Sequence, residues 1–394
     1  MTQAQTGSTA PLKIAIAGGS IAGLCAGIAL RGVGCDVDIF EVNANSMHGR
    51  GAGIVVQDDL INLMKAHGTP PLPITTCSHR LFLEPDDAFN ATDNLDPYNI
   101  PGKLAPMPQR FTSWEAIYQT LRAGFPDEHY HSGCRVTGFR QDNDGVTLTL
   151  NEGSEVRSDL LVAADGLRSP LRQQLLPEVE PQYAGYLAWR GTLDESRASA
   201  RLLAAFRNRF AFCSARSGGH ILNYLIPGPG AVTEPGDRQL NWVWYVKVPA
   251  GPELEHLLTD RDGRKRDLSV PAGKVPDQTR NHLYERARRE LHPLFAELVQ
   301  ATEQPFLQSI VDVVVPQMVF DRVCLIGDAA FGIRPHTAAA AAKGAADAAA
   351  LARQLQAMGY EPGAALERWQ THQLEIGRQL HRQGVDLGRR ITGD

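Results

Sequence analysis

Residues 13–23 read KIAIAGGSIAG and constrain the fold more than any other stretch. Ile14, Ala15, Ile16 and Ala17 form an apolar run of strand length. Gly18, Gly19, Ser20, Ile21, Ala22 and Gly23 then lead into a helical pattern over 24–33. A strand that turns through glycines into a helix is the βα unit that binds nucleotide diphosphates. The free N–H groups and positive end of the helix face the pyrophosphate. In the G-x-G-x-x-G fingerprint Gly18 and Gly23 hold the outer places and Ser20 the middle one. Serine brings a Cβ, which restricts the approach of backbone to phosphate, and a hydroxyl that can donate to it. A second strand, DVDIFE over 36–41, ends in Glu41, 23 residues after Gly18. That is the spacing at which an acid meets the ribose hydroxyls. A glycine turn in another kind of α/β unit is the competing reading.

A chain of 394 residues, 43% hydrophobic, is long enough for two or three domain cores. Its net charge of −5 supplies no basic surplus for nucleic acid or an anionic membrane. No apolar run reaches the roughly 18 residues of a membrane-spanning helix. Residues 1–11 lack a basic start and an apolar core, so they read as a loose tail rather than a secretory signal. The six cysteines show neither CxxC pairing nor metal-ligand spacing. Free thiols in a reducing cytosol, and no metal, are expected.

Further along, Thr112 and Ser113 stand where a helix from Trp114 needs a cap, and Glu115 is at capping-box distance from Thr112. DLLVAADG over 159–166 is a continuous apolar strand ending in Asp165 and Gly166, the pattern of a strand covered on both faces. Between 183 and 248 the texture becomes aromatic and strand-like, with turns between segments. This predicts a largely antiparallel sheet inserted between nucleotide-type strands. The polar stretch 259–276 predicts a mobile loop whose basic cluster, Arg264, Lys265 and Arg266, is a solvated face. RVCLIG over 322–327 is another buried strand, followed by Asp328. The alanine-rich segment 338–356 predicts a helix that packs closely on its partner. One or two more helices are expected over 364–391.

Three strand tips thus carry glycine or aspartate: residues 18–23, Asp165 with Gly166, and Gly327 with Asp328. In a parallel sheet the carboxyl ends gather at one edge, so a dinucleotide lying there meets all three. The set resembles the FAD-dependent class A aromatic hydroxylases. Their fingerprints are a GxGxxG strand–helix, a DG strand, and a GD strand followed by a proline and a small-residue helix. The chain carries GGSIAG at 18–23, ADG at 164–166 and GDAA at 327–330, with Pro335 and Asp347 at matching offsets. The likeness spans residues 12–375. It includes VVQ at 55–57, RFTSWEAIY at 110–118, YAGYLAWRG at 183–191, LNWVWY at 240–245 and RPHTAA at 334–339. These stretches point to a branch that takes hydroxylated N-heteroaromatic rings. Two positions depart: Phe331 replaces the histidine of GDAAH, and Ala338, Ala339 and Ala340 replace a G-Q-G turn, removing a polar flavin contact.

The resemblance implies an α/β fold with an FAD-binding Rossmann-like (GR2-type) domain, discontinuous over 12–78, 102–180 and 308–360. It implies a largely antiparallel β-sheet substrate domain over 79–101 and 181–307, a C-terminal helical segment at 361–394, and the tail 1–11. In such enzymes NADH or NADPH reduces FAD, O2 adds to give a C4a-hydroperoxide, and its distal oxygen passes to an electron-rich ring. Cofactor contacts are implied for Gly18, Ser20, Ile21, Ala22, Gly23, Glu41, Gln57, Asp165, Asp328, Pro335, Ala340 and Ala341. Arg50 is open between a flavin phosphate, the nicotinamide nucleotide and a surface salt bridge. Arg110, Ser113 and Trp114 compete for a flavin-contacting place.

A helix starting near Ala338, with Thr337 as N-cap, would set its positive end toward the anionic reduced flavin. His336 is a candidate to hydrogen-bond the substrate's ring oxygen or shuttle its proton, or else to fix the loop. Arg190 is a candidate to offset a phenolate-like charge, or else to pair with a carboxylate. Trp189, Trp242, Trp244 and Tyr224 are candidates to line a dry pocket, with core packing the alternative for each. No second nucleotide fingerprint occurs, which fits transient NADH or NADPH binding. The expected partners are a small aromatic substrate and a second copy in a homodimer, in the cytoplasm. Competing functions are a related FAD monooxygenase (an epoxidase or tailoring hydroxylase) on another substrate, and a non-catalytic flavin-binding redox sensor.

Overall fold

The strand Lys13–Ala17 hydrogen-bonds to parallel neighbours on both sides, Leu160–Ala163 and Asp36–Glu41. Val323–Leu325 and Tyr130–Ser132 extend the parallel array, and the short strand Val319–Phe320 closes one edge antiparallel. The computed structural model describes residues 11–45, 52–87 and 102–393. Every residue of Leu160–Ala163 is buried, which is why that strand is apolar without alternation. Helix Ile21–Gly32 packs along helix Ala340–Ala357. Gly344 allows the close approach: a Cβ there would lie 3.1 Å from the Ala22 Cβ.

Within the alanine-rich helix Lys343 pairs with Asp347, and both are buried. Asp347 also accepts from the Gly327 N–H at 3.3 Å, and its carbonyl accepts from Trp369 Nε1 at 3.0 Å. Desolvation offsets most of the attraction in a buried pair, so it adds little net stability. Its effect is positional, because it ties the Gly327 tip to the helix.

The second sheet has ten strands among the described residues. Nine run in the order Ser269–Val270, Phe306–Val314, Gln182–Asp194, Gln239–Lys247, His220–Ile226, Arg209–Ser214, Thr75–Leu83, Lys103–Ser113 and Gly53–Val55. Phe331–Gly332 pairs with Phe306–Val314. Only the pairing of Arg209–Ser214 with Thr75–Leu83 is parallel. One face of this sheet is buried with the helices Ala200–Phe206, Asp277–Glu290 and Pro293–Ala301.

Membership of this sheet departs from the expected limits of 79–101 and 181–307. Gly53–Val55, Thr75–Leu83 and Lys103–Ser113 belong to it, and Phe306–Val314 carries it past 307. Pro106 and Pro108 hide the long strand Lys103–Ser113 from a reading by propensity.

Three local features also differ from expectation, and the structure decides between the two candidate caps. Ser113, not Thr112, caps helix Trp114–Ala123 by accepting from the Ala116 N–H at 3.0 Å. Thr112 instead donates to the Pro73 carbonyl at 2.7 Å. The alanine-rich helix begins at Ala340, because Pro335–Thr337 forms a tight 3-10 turn and Ala338 is left-handed at φ +53°. Its N-cap is Ala339, so Thr337 does not hold that place; the Thr337 hydroxyl accepts from the Ala339 N–H at 3.2 Å. The stretch 259–276 is tied down: buried Asp260 accepts from the Asp262 and Arg264 N–H groups at 3.0 Å and from Arg266 Nε at 2.7 Å. The C-terminal segment is one helix, Pro362–Thr392, of 31 residues. No helix among the described residues is long and apolar enough to cross a membrane. All six cysteines are free, five of them buried.

Candidate active site

The carboxyl ends of Lys13–Ala17, Leu160–Ala163 and Val323–Leu325 lie side by side, so the three tips share one edge. Gly18 sits at φ +101°, and an added Cβ would meet the Ala164 carbonyl oxygen at 2.4 Å. A Cβ on Gly23 would fall 1.8 Å from the Gly18 carbonyl oxygen. Only glycine allows a turn this tight. Ser20 is the N-cap of Ile21–Gly32 and makes no side-chain cap bond, which leaves a first turn suited to an anion. Ile21 is buried, and Ala22 is wedged against Gly327 and Gly344. Glu41 is buried at the end of its strand, accepting from the Gly19 and Asn43 N–H groups, each at 2.8 Å.

At the second tip, Asp165 Oδ1 is enclosed without a partner, and burial pushes this carboxyl up to about 6. At the third, Asp328 is exposed only in the sense that it faces a cavity. The surrounding protein pushes its carboxyl up to about 6 as well. A glycine cradle, an orphaned carboxylate oxygen and an uncapped helix start at Ala340 are together a fit for FAD.

A cavity of about 900 Å3 opens between this edge and the second sheet. Its roof follows from strand register. Arg190 lies opposite Phe306 and Val243, Val243 opposite Leu222, and Leu222 opposite Phe212, one row across five strands. Tyr245 and His220 lie two residues to one side of that row, and Tyr224 and Phe210 two to the other. Alternation puts all of them on the same face. The same rule turns Trp189, Trp242 and Trp244 away, into the core shared with the outer helices. Trp242 Nε1 donates to Thr302 Oγ1 at 2.8 Å. Of the two readings open for these three tryptophans, pocket lining and core packing, the structure shows core packing.

The charged residues of the lining are Arg80, Arg190, Arg390 and Asp328. Arg190 Nε is buried without a hydrogen-bond partner, and among the described residues no carboxylate pairs with Arg190. Tyr224 is buried and stacks on Phe111 at 4.3 Å, and burial raises its phenol well above the ordinary range. His336 bonds the Tyr186 hydroxyl through Nε2 at 2.7 Å and meets the Tyr245 ring edge-on at 4.3 Å. Burial, then His220, Arg334 and Arg190, push the His336 imidazole down to about 3, so it is neutral near pH 7. Burial pushes His220 down to about 4.

Gln57, Trp114, Pro335, Ala340 and Ala341 also line the cavity. Arg110 does not: it pairs with Asp58 at 2.6 Å on an exposed surface. Ser113 is occupied as a cap, which leaves Trp114 as the cavity-lining member of that trio. Arg50 lies outside the described residues. Tyr186, Tyr245, His220 and Arg334 were not singled out from the sequence. The first two alternate with residues that were, in the same aromatic strands.

A family model described as FAD binding domain-like matches residues 183–312. Over 365 residues the chain is 33% identical to 2,6-dihydroxypyridine 3-monooxygenase of Paenarthrobacter nicotinovorans, covering 93% of this chain and 88% of that enzyme. The chain belongs to the FAD-dependent aromatic hydroxylases, and is an oxidoreductase of the monooxygenase type. The solved structure of 2,6-dihydroxypyridine-3-hydroxylase from Arthrobacter nicotinovorans matches at a TM-score of 0.87 and 31% identity, covering 98% of this chain and 94% of that one. Klebsiella pneumoniae HpxO, solved with FAD and uric acid, shares the fold at a TM-score of 0.74 and 22% identity, covering 97% and 89%.

Proposed function

We propose that the chain hydroxylates an electron-rich, hydroxylated N-heteroaromatic ring of the 2,6-dihydroxypyridine kind, using NADH or NADPH and O2, in the cytoplasm. The observation that carries this is Arg190, a cation with no carboxylate partner among the described residues, set among Tyr224, Tyr245, Phe210 and Phe212 in the cavity roof. A cation held without a counter-ion in aromatic surroundings suits a flat ring that arrives with negative charge on oxygen. Bound FAD supplies electron transfer from the pyridine nucleotide and activation of O2.

The chain's own residues do the rest. The glycine turn and the start of helix Ile21–Gly32 hold the pyrophosphate, and Glu41 accepts from the ribose hydroxyls. The open N–H groups at Ala340 and Ala341 favour the anionic end of the reduced ring, an effect of about 0.3–1 kcal/mol exposed and ~2 kcal/mol partly buried. Arg190 holds the substrate oxygen, and neutral His336 bonds the ring. The aromatic roof excludes water, which limits wasteful turnover.

The test is consumption of NADH or NADPH and of O2 by the yellow holoenzyme with 2,6-dihydroxypyridine beside a panel of pyridines, pyrimidines and purines, with product mass measured. A product one oxygen heavier than its ring substrate is expected. If no ring raises oxidation of either NADH or NADPH above the substrate-free rate, the proposal is wrong. The same samples, sized by light scattering, report whether the enzyme is the proposed homodimer.

A further inference from the structure

We infer that Tyr186 is a positioning residue: it fixes the His336 imidazole as a hydrogen-bond donor to the substrate's oxygen. This rests on the hydroxylase reading above. Asp312 holds Arg334 at two points, Nε to Oδ1 at 2.8 Å and Nη2 to Oδ2 at 2.6 Å. Arg334 in turn lies over the Tyr186 ring, 5.5 Å from its centroid. A guanidinium only donates, so Arg334 offers the Tyr186 O–H no acceptor.

Tyr186 is 1% exposed, and a buried O–H needs an acceptor of its own. Among the described residues that acceptor is His336 Nε2, at 2.7 Å. Nε2 is therefore the bare nitrogen and Nδ1 carries the hydrogen. The ring lines the cavity, and no hydrogen bond from the described residues engages Nδ1. The edge of Tyr245 holds the plane of the ring at 4.3 Å. His336 thus offers a neutral N–H, and an oxygen that has lost its proton accepts from it better than a hydroxyl does.

The C-terminal helix keeps this chain of contacts in place. A Cβ on Gly384 would lie 3.2 Å from Arg334 Cβ, and one on Gly388 would lie 2.5 Å from Arg334 Nη1 and 2.9 Å from the Tyr186 oxygen. Helix Pro362–Thr392 therefore sits directly on the Arg334–Tyr186 pair. The ionisable groups around His336 are Arg190 and His220 from the roof, Arg334 from its own loop, and Tyr186 and Tyr245 from two strands. Asp312 and, from the C-terminal helix, His381 lie behind Arg334.

The experiment uses FAD-loaded wild type, Tyr186→Phe, His336→Gln and the double variant. Selective 15N-histidine spectra, assigned by the resonance missing in His336→Gln, read the tautomer directly. The change in bound-flavin absorbance on titration with 2,6-dihydroxypyridine gives Kd. In wild type the Nδ1–H tautomer is expected. Tyr186→Phe should leave FAD content unchanged, admit the Nε2–H tautomer and raise Kd and KM about tenfold, with kcat less affected. In the His336→Gln background, whose amide N–H needs no partner, Tyr186→Phe should change Kd less than about twofold. An Nε2–H tautomer in wild type, or equal losses in both backgrounds, overturns the inference. Should Tyr186→Phe fail to fold, the wild-type tautomer alone decides. If wild type hydroxylates no ring, the functional proposal falls, while the tautomer still judges the positioning claim.

Discussion

Arg190→Met should move two quantities in opposite directions. Methionine keeps much of the length and apolar stem of arginine but carries no donor. Arg190 Nε is buried and unpartnered, and such a donor costs about 1–3 kcal/mol. Removing it should therefore stabilise the holoenzyme by ~1 kcal/mol after some loss of packing. In a chain of this size that raises Tm by roughly 1–2 °C. The substrate loses a charge-assisted bond of about 1.5–3 kcal/mol, which is ~10- to 150-fold in Kd. Thermal melts read the first quantity; titration of bound-flavin absorbance with 2,6-dihydroxypyridine reads the second. Arg190→Lys, which keeps the charge but not the planar fork, should fall between the two. A Tm lowered by several degrees with Kd unchanged would refute the reasoning and make Arg190 a structural residue.

Other outcomes follow from single positions. The folded Asp165 carboxyl titrates near 6, above the ordinary value of about 4, so the folded state keeps its proton to higher pH and stability falls as pH rises from about 4 to about 6. Asp165→Asn removes that dependence and should stabilise FAD-free protein by up to ~3 kcal/mol at pH 8 and by nothing at pH 3.5; urea curves with the same pH dependence in both proteins would contradict it. Gly23→Ala puts a methyl 1.8 Å from the Gly18 carbonyl oxygen and should largely abolish FAD retention, read as the flavin absorbance of purified protein. Ala338 sits at φ +53°, which costs a non-glycine residue about 1–2 kcal/mol. Ala338→Gly should relieve this, less glycine's entropy in the unfolded chain, for a gain of ~0.5–1 kcal/mol by urea unfolding; a loss would show that the methyl does work there.

The cofactor edge was legible because each tip is encoded within a few residues. Gly18 to Gly23, Asp165 with Gly166, and Gly327 with Asp328 announce themselves through short-range rules of strand, turn and helix start. The roof was half legible. Alternation says that Trp189 and Arg190, or Trp244 and Tyr245, point to opposite faces. It does not say which face meets the cavity, since that depends on where the helices Asp277–Glu290 and Pro293–Ala301 dock. The tryptophans stayed open between pocket and core, since large aromatics belong in a core as readily as in a pocket. Tyr186, His336 and Arg334 come together from positions 150 residues apart, and no local pattern encodes such a meeting. The start of the alanine-rich helix slipped by two residues because Ala338 takes a conformation that alanine rarely adopts.

The placement of Gly384, Gly388 and Ile391 has a consequence for how the enzyme matures. The wall they build against Arg334, Tyr186 and the cavity belongs to the last helix, while the flavin cradle begins at Lys13. A ribosome must therefore have translated beyond residue 391 before any copy can close its pocket. A protein cut before Gly384 would lack this wall and would be expected to keep its flavin while failing to couple O2 use to ring hydroxylation.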